Sequence, residues 1–198
     1  MEEFYRERDD PFVEECGLMG VWNHPEAANL TYLGLYAQQH RGQEGVGIVS
    51  LELEKDIAER TFRIHKGLSL VSDVFKKFDF TKLPGSVSVG HVRYTTAGGN
   101  ALANVQPLIA EVSRGKIAVA HNGNLINADS LRKELIRDGA IFGTSSDTEV
   151  ILHLIARAPK NISLEEAVIR ALDRVKGCLL YTSPSPRDAT LSRMPSSA

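Results

Sequence analysis

One cysteine and four short polar segments hold most of this chain's chemically capable side chains. Cys16 stands just ahead of an apolar run. The polar segments are Gln38-Gln39-His40-Arg41-Gly42-Gln43-Glu44-Gly45, His91-Val92-Arg93-Tyr94-Thr95-Thr96-Ala97-Gly98-Gly99, His121-Asn122-Gly123-Asn124 and Gly143-Thr144-Ser145-Ser146-Asp147. They supply a thiol, imidazoles, guanidiniums, carboxamides and carboxylates, the groups of nucleophilic, anion-binding and proton-transfer chemistry. Loops at strand ends are where a rigid scaffold presents such groups. Any one segment alone is better explained as a turn, because Gly, Asn and Ser make turns. Singly, Cys16 reads as a small buried hydrophobe, Arg93 as the partner of a surface carboxylate, and Asp147 as a first-turn acid favoured by a helix dipole. Four clusters and a cysteine in one small domain outweigh those separate readings. The six histidines lack a His or Cys companion at metal-ligand spacing, so no metal site is expected. No G-x-G-x-x-G or G-x-x-x-x-G-K-[ST] phosphate loop is present.

Something must hold these groups in place, and the hydrophobic pattern shows what. Gly17 to Trp22 reads as a short buried strand closed by Asn23-His24-Pro25. Residues 26–39 carry an apolar stripe at Ala27, Leu30, Leu33 and Ala37, which predicts a helix. Residues 46–53 and 57–64 are extended runs about Glu54-Lys55-Asp56, which predicts a hairpin. Residues 68–75 suit a short helix, and residues 86–92 and 116–120 suit strands that end in polar clusters. Helices are predicted from Asn127 to Arg137, stopping at Gly139, and after the capping-box spacings Ser146 to Glu149 and Ser163 to Glu166. Strands early and centrally, with helices between and after, give an α+β or layered α/β domain.

Composition sets the outer limits. At 198 residues, 42% apolar and 24% charged, the chain suits one globular domain with a core. A net charge of −2 without a basic block gives no reason to expect nucleic acid or an anionic membrane. No apolar run reaches the length of a membrane span, and two cysteines make no disulfide scaffold, so a reducing cytoplasmic setting is expected. Residues 1–15, with acids at seven positions, read as a solvated tail on composition alone. Residues 181–198 are Ser-, Pro- and Thr-rich without a strand or helix period. Everything from about Cys178 is therefore expected to be a foreign or disordered tail, with the domain cut short after Gly177.

Taken in order, the motifs carry a resemblance. Cys16-Gly17-Leu18-Met19-Gly20-Val21, the residue 39–45 segment, His91-Val92-Arg93-Tyr94-Thr95-Thr96-Ala97-Gly98, His121-Asn122-Gly123-Asn124-Leu125 and Ser146-Asp147-Thr148-Glu149 together resemble the class II glutamine amidotransferases. These belong to the N-terminal-nucleophile hydrolases. Tyr94 and Asn104-Val105-Gln106-Pro107 make the chain most similar to the branch that takes glutamine nitrogen into the first step of purine synthesis. Glucosamine-phosphate synthases share the Cys, Arg, Asn-Gly and Asp pattern but usually carry histidine where this chain has Ala97.

The resemblance implies an α+β fold, a four-layer α-β-β-α sandwich, incomplete here at its C-terminal end. It divides the chain into a propeptide at 1–15, a glutaminase domain at 16–177 and the tail at 178–198, with the phosphoribosyltransferase domain absent. Cleavage before Cys16 would free an α-amine of pKa about 7.7–8.0, a suitable base beside the thiol nucleophile; an amide nitrogen is not. The catalytic group implied is Cys16 with Asn122 and Gly123 as oxyanion hole. Arg93 is implied to hold the glutamine α-carboxylate, Asp147 its α-ammonium, and Thr96 to assist. A Cys-His dyad using His91 or His121 is the rival base. Glutamine is the expected substrate, and phosphoribosyl pyrophosphate is expected only through the missing domain. No cofactor is expected in this chain; magnesium, and in some members an iron–sulfur cluster, belong to the missing part. The full-length protein is expected to be a homo-oligomer. The alternatives are a sugar-phosphate or asparagine synthase glutaminase, or an inactive glutamine-binding fragment.

Overall fold

The computed structural model describes residues 16–53, 55, 60–94, 101–183 and 191–193. It contains helices and antiparallel sheets in the α+β arrangement. One sheet has the order β1-β4-β2-β3, from Gly17–Val21 (β1), Gly45–Leu51 (β2), Phe62–Gly67 (β3) and Val87–Arg93 (β4). The other has the order β5-β6-β7-β8, from Leu108–Val112 (β5), Gly115–Leu125 (β6), Gly177–Ser183 (β7) and Leu191–Arg193 (β8). The helices are Ala27–Ala37 (α1), Val71–Val74 (α2), Ala128–Arg137 (α3), Thr148–Arg157 (α4) and Leu164–Arg174 (α5).

Side-chain alternation assigns each strand face its partner. In β2, Val46 and Ile48 pack with Ala28 and Leu35 of α1 and Phe75 beyond α2, while Val49 points the other way. In β6, Ile117 and Val119 pack under Val150, Leu154 and Ile155 of α4, while Ala118 and Ala120 join Val49 and Val89 in a cluster drawn from both sheets. Burying one such Val, Leu or Ile is worth about 1.5–3 kcal/mol, so the three clusters dominate the stability. The same alternation puts His91 and Arg93 on the face of Val89, and Asn122 on the face of Ala118 and Ala120. His121 turns toward α4. Two functional segments thus lie on the facing sides of the sheets.

The helix ends follow local chemistry. Gly139 takes a φ of +82° just beyond α3, where a side chain would be strained. Ser163 Oγ accepts from the Glu166 amide at 3.2 Å, as the capping spacing predicts. At α4 the expectation is half met. Ser146 Oγ accepts from Thr148 N at 3.3 Å, but Glu149 reaches back to the Gly143 and Thr144 amides at 2.8 and 2.7 Å. The buried Arg114 closes the other end of α4, donating to the carbonyls of Ile155, Ala158 and Pro159. A guanidinium there also meets the negative end of the helix dipole.

Three expectations change. The strand predicted at 116–120 continues to Leu125, because β7 supplies a hydrogen-bonding partner from Ala120↔Thr182 to Leu125↔Gly177. His121 to Asn124 therefore lie in a strand rather than the loop after it. Residues 181–183 and 191–193, read as lacking strand character, complete β7 and form β8, so strand pairing continues beyond Gly177. Backbone pairing needs no apolar alternation, which is why the composition of this stretch concealed it. Trp22, placed in the buried first strand, lies just after β1 and is 40% exposed. The paired strands β2 and β3 confirm the hairpin pairing; its predicted residues 54 and 56–59 lie outside the described residues.

Candidate active site

Cys16 precedes β1, and β1 pairs with β4 so that Gly17 stands opposite Val92. That register lays the cysteine beside Tyr94. The Tyr94 amide donates to Cys16 Sγ at 3.3 Å, and the thiol lies 3.5 Å from the Tyr94 carbonyl. The cysteine carbonyl is held from two sides: Asn122 Nδ2 donates to it at 2.7 Å and Arg41 Nε at 3.2 Å. A carboxamide nitrogen carries two N–H groups, so Asn122 keeps one for another acceptor. Residues from three separate stretches of chain thus converge on one cysteine.

Glycines make two of these approaches possible. A Cβ at Gly42 would lie 2.8 Å from the backbone carbons of Val92 and Arg93, so only glycine lets the Gln39–Arg41 turn close on β4. Gly123 has a φ of +136°, a conformation rare for other residues, in mid-strand beside Asn122.

Asp147 is fixed by the loop that carries it. Arg132 donates to the carbonyls of Thr144 and Ser146 at 3.0 and 2.7 Å, and its guanidinium lies 4.0 Å over the Phe142 ring. Asn104 and Ser145 exchange hydrogen bonds of 2.9 and 3.0 Å. Asp147 Oδ2 then accepts from the Leu125 amide at 3.1 Å, two residues past Gly123. Arg93, at the end of β4, is 5% exposed. Cys16, Asn122 and the β4 terminus are in direct contact, and Asp147 reaches the same strand as Asn122. Thr96 lies outside the described residues, as does Ala97.

The two histidines suit a supporting role. His121 Nδ1 is engaged with Thr148 Oγ1 at 2.9 Å, and its Nε2 has no hydrogen-bond partner among the described residues. Both ring nitrogens of His91 likewise lack one. Neither ring is hydrogen-bonded to the thiol, so the Cys-His alternative has no geometry behind it. Burial lowers both imidazoles' pKa values; that of His91 falls to about 3, helped by His121, Arg93 and Lys66 nearby. Between about pH 6.5 and pH 3 the unfolded chain binds a proton at His91 that the folded chain excludes. Stability present above pH 6.5 is therefore lost as pH falls through this window, at up to about 1.4 kcal/mol per pH unit for one such group. Denaturant midpoints measured from pH 7 to 4 should fall, and His91→Gln should flatten the slope; an unchanged slope would mean His91 does not titrate this way.

Arg41, Ser146 and Thr148 stand within the polar segments and motifs of the sequence, which assign none of them a part in the site. The contacts of Arg41 with the Cys16 carbonyl and of Thr148 with His121 join distant segments, which periodicity does not register. Among the described residues no three His, Cys, Asp or Glu side chains converge into a metal site, and no helix is long and apolar enough to cross a membrane.

A thiol braced by a backbone amide, an asparagine on its carbonyl and an aspartate bonded to the same strand stand together, and residues 92–181 match the family described as a glutamine amidotransferase domain. The chain is 56% identical over 145 residues to an amidophosphoribosyltransferase of Lacticaseibacillus casei, covering 73% of this chain and 72% of that one. The Bacillus subtilis enzyme of the same name is 46% identical over 169 residues, covering 85% of this chain and 34% of the relative. The solved B. subtilis glutamine phosphoribosylpyrophosphate amidotransferase, complexed with ADP and GMP, superposes with a TM-score of 0.76 at 41% identity, covering 85% of this chain and 35% of that one. This chain belongs to the amidophosphoribosyltransferase family. It spans about a third of the length of the Bacillus relative.

Proposed function

We propose that this domain is the glutaminase half of an amidophosphoribosyltransferase. It hydrolyses glutamine to glutamate and ammonia, with Cys16 as nucleophile and, once residues 1–15 are removed, its own α-amine as base. The amine takes the thiol proton as sulfur attacks the side-chain amide carbon. The resulting oxyanion is met by Asn122 Nδ2 and the Gly123 N–H. Ammonia leaves with the proton returned by the amine, and water then releases glutamate from the thioester. Arg93 holds the α-carboxylate, Asp147 the α-ammonium, and Thr96 assists them. Reading both ends of a free amino acid selects glutamine over a protein-bound amide. The ammonia passes to phosphoribosyl pyrophosphate bound by the remainder of the longer protein, giving 5-phosphoribosylamine for purine synthesis in the cytoplasm. Magnesium, and any iron–sulfur cluster, belong to that remainder.

The 2.7 Å bond from Asn122 to the Cys16 carbonyl carries this reading, because it unites the proposed nucleophile with the proposed oxyanion donor across more than a hundred residues. We further propose the layer order α-β-β-α, supported by α1 packing on one sheet, α4 on the other, and a cluster shared between the sheets.

Arg93→Lys tests the substrate-binding half of the proposal. A guanidinium gives a carboxylate two parallel hydrogen bonds and an ammonium does not. With charged hydrogen bonds worth about 1.5–3 kcal/mol, the glutamine KM should rise at least about tenfold with a much smaller change in kcat. Steady-state glutamate release checks this. An effect no larger than that of the exposed substitution Arg63→Lys would contradict the carboxylate role.

A further inference from the structure

His121 is nearly inaccessible, at 2% exposure, yet it is tied down on every side but one. Its backbone N–H donates to Gln106 Oε1 at 2.6 Å, and its ring Nδ1 meets Thr148 Oγ1 at 2.9 Å. Ser146 Oγ accepts from the Thr148 amide at 3.3 Å and donates its own proton to Thr148 Oγ1 at 3.1 Å. Thr148 Oγ1 accepts from Ser146 and has one proton to give, and the arrangement proposed below gives it to His121 Nδ1. That nitrogen is then the acceptor, and the ring proton sits on Nε2.

Nε2 is buried, without a hydrogen-bond partner among the described residues, and 3.9 Å from Asp147 Oδ2. The same oxygen accepts from the Leu125 amide at 3.1 Å. Two groups of β6 therefore bear on the same carboxylate oxygen, Oδ2. A separation of 3.9 Å exceeds a hydrogen bond, and active-site contacts of this kind tighten as substrate binds.

We propose that His121 is a positioning residue for Asp147: the Ser146–Thr148 hydroxyl relay fixes its tautomer, and its Nε2–H orients the carboxylate that receives the substrate's α-ammonium. This rests on the reading of Asp147 above and adds to it the means by which the domain recognises an α-amino group. Burial supports the arrangement, since desolvation disfavours the imidazolium and keeps the ring a single-proton donor.

The test compares glutamine with glutaramate, the same molecule without its α-amino group, as alternative substrate or competitive inhibitor of the full chain. His121→Leu should lower the preference for glutamine over glutaramate at least tenfold, and Thr148→Val at least threefold, with glutaramate values within twofold of the parent. His121→Gln, whose amide N–H can replace Nε2–H, should restore most of the preference. Thr148→Val is nearly isosteric, so it decides the matter if His121→Leu does not fold. Equal losses on both compounds, or an unchanged preference, would overturn the positioning role while leaving the glutaminase intact. Absence of any Cys16-dependent glutamate release from the parent chain would instead remove the underlying reading, and this inference with it.

Discussion

Cys16→Ala should abolish glutamine hydrolysis while leaving the fold intact. The Cys16 sulfur is the only protein atom in the scheme that forms a bond to substrate carbon, so its removal eliminates the covalent route rather than slowing it. The side chain is half-buried and braced by the Tyr94 backbone. Losing one sulfur at such a place costs little packing, because none of the three apolar clusters includes Cys16. The contacts made by its carbonyl survive the substitution, since Asn122 and Arg41 both bind main chain. Glutamate release should fall to the uncatalysed background with the thermal midpoint within a few degrees of the parent. Retained turnover would place the nucleophile elsewhere.

Asn122→Ala is expected to have the second largest effect. Removing one oxyanion donor typically costs about 2.7–4 kcal/mol of transition-state stabilisation, so kcat should drop by about 10²–10³. The loss should fall on kcat more than KM, because a neutral amide oxygen needs the donor less than the oxyanion does. The variant also loses the 2.7 Å bond to the Cys16 carbonyl, which adds to the effect by loosening the nucleophile. Rapid-mixing kinetics that separate acylation from hydrolysis should show acylation slowed. A kcat within threefold of the parent would mean Asn122 serves only to hold Cys16.

Much of this architecture can be read before any coordinates are seen. The stripe that became α1 and the stop at Gly139 after α3 are local signals, and each was visible as a period or a cap. β6 shows where such reading ends. Its first half, Ile117 to Ala120, is apolar because both faces are covered. Its second half, from His121, carries functional side chains, so the apolar pattern stops while the hydrogen-bond ladder goes on. β5 was missed because Pro107 and the exposed Ile109 disguise an edge strand. The site divides in the same way. Cys16, Asn122 and Asp147 stood out by type, spacing and resemblance. Arg41 and Thr148 are polar groups defined by what they touch, and the Cys16 carbonyl and His121 ring that they touch lie tens of residues away, while Ser146 joins Thr148 from two residues off.

The central claim is that one residue supplies both the sulfur and the base. Its most direct measurement is peptide mapping by mass spectrometry after the expressed chain reacts with a chloroketone analogue of glutamine. The account predicts a peptide that begins at Cys16, has a free amine and carries the adduct on Sγ. An active protein in which the Glu15–Cys16 bond is intact, or an adduct on any other residue, would contradict it.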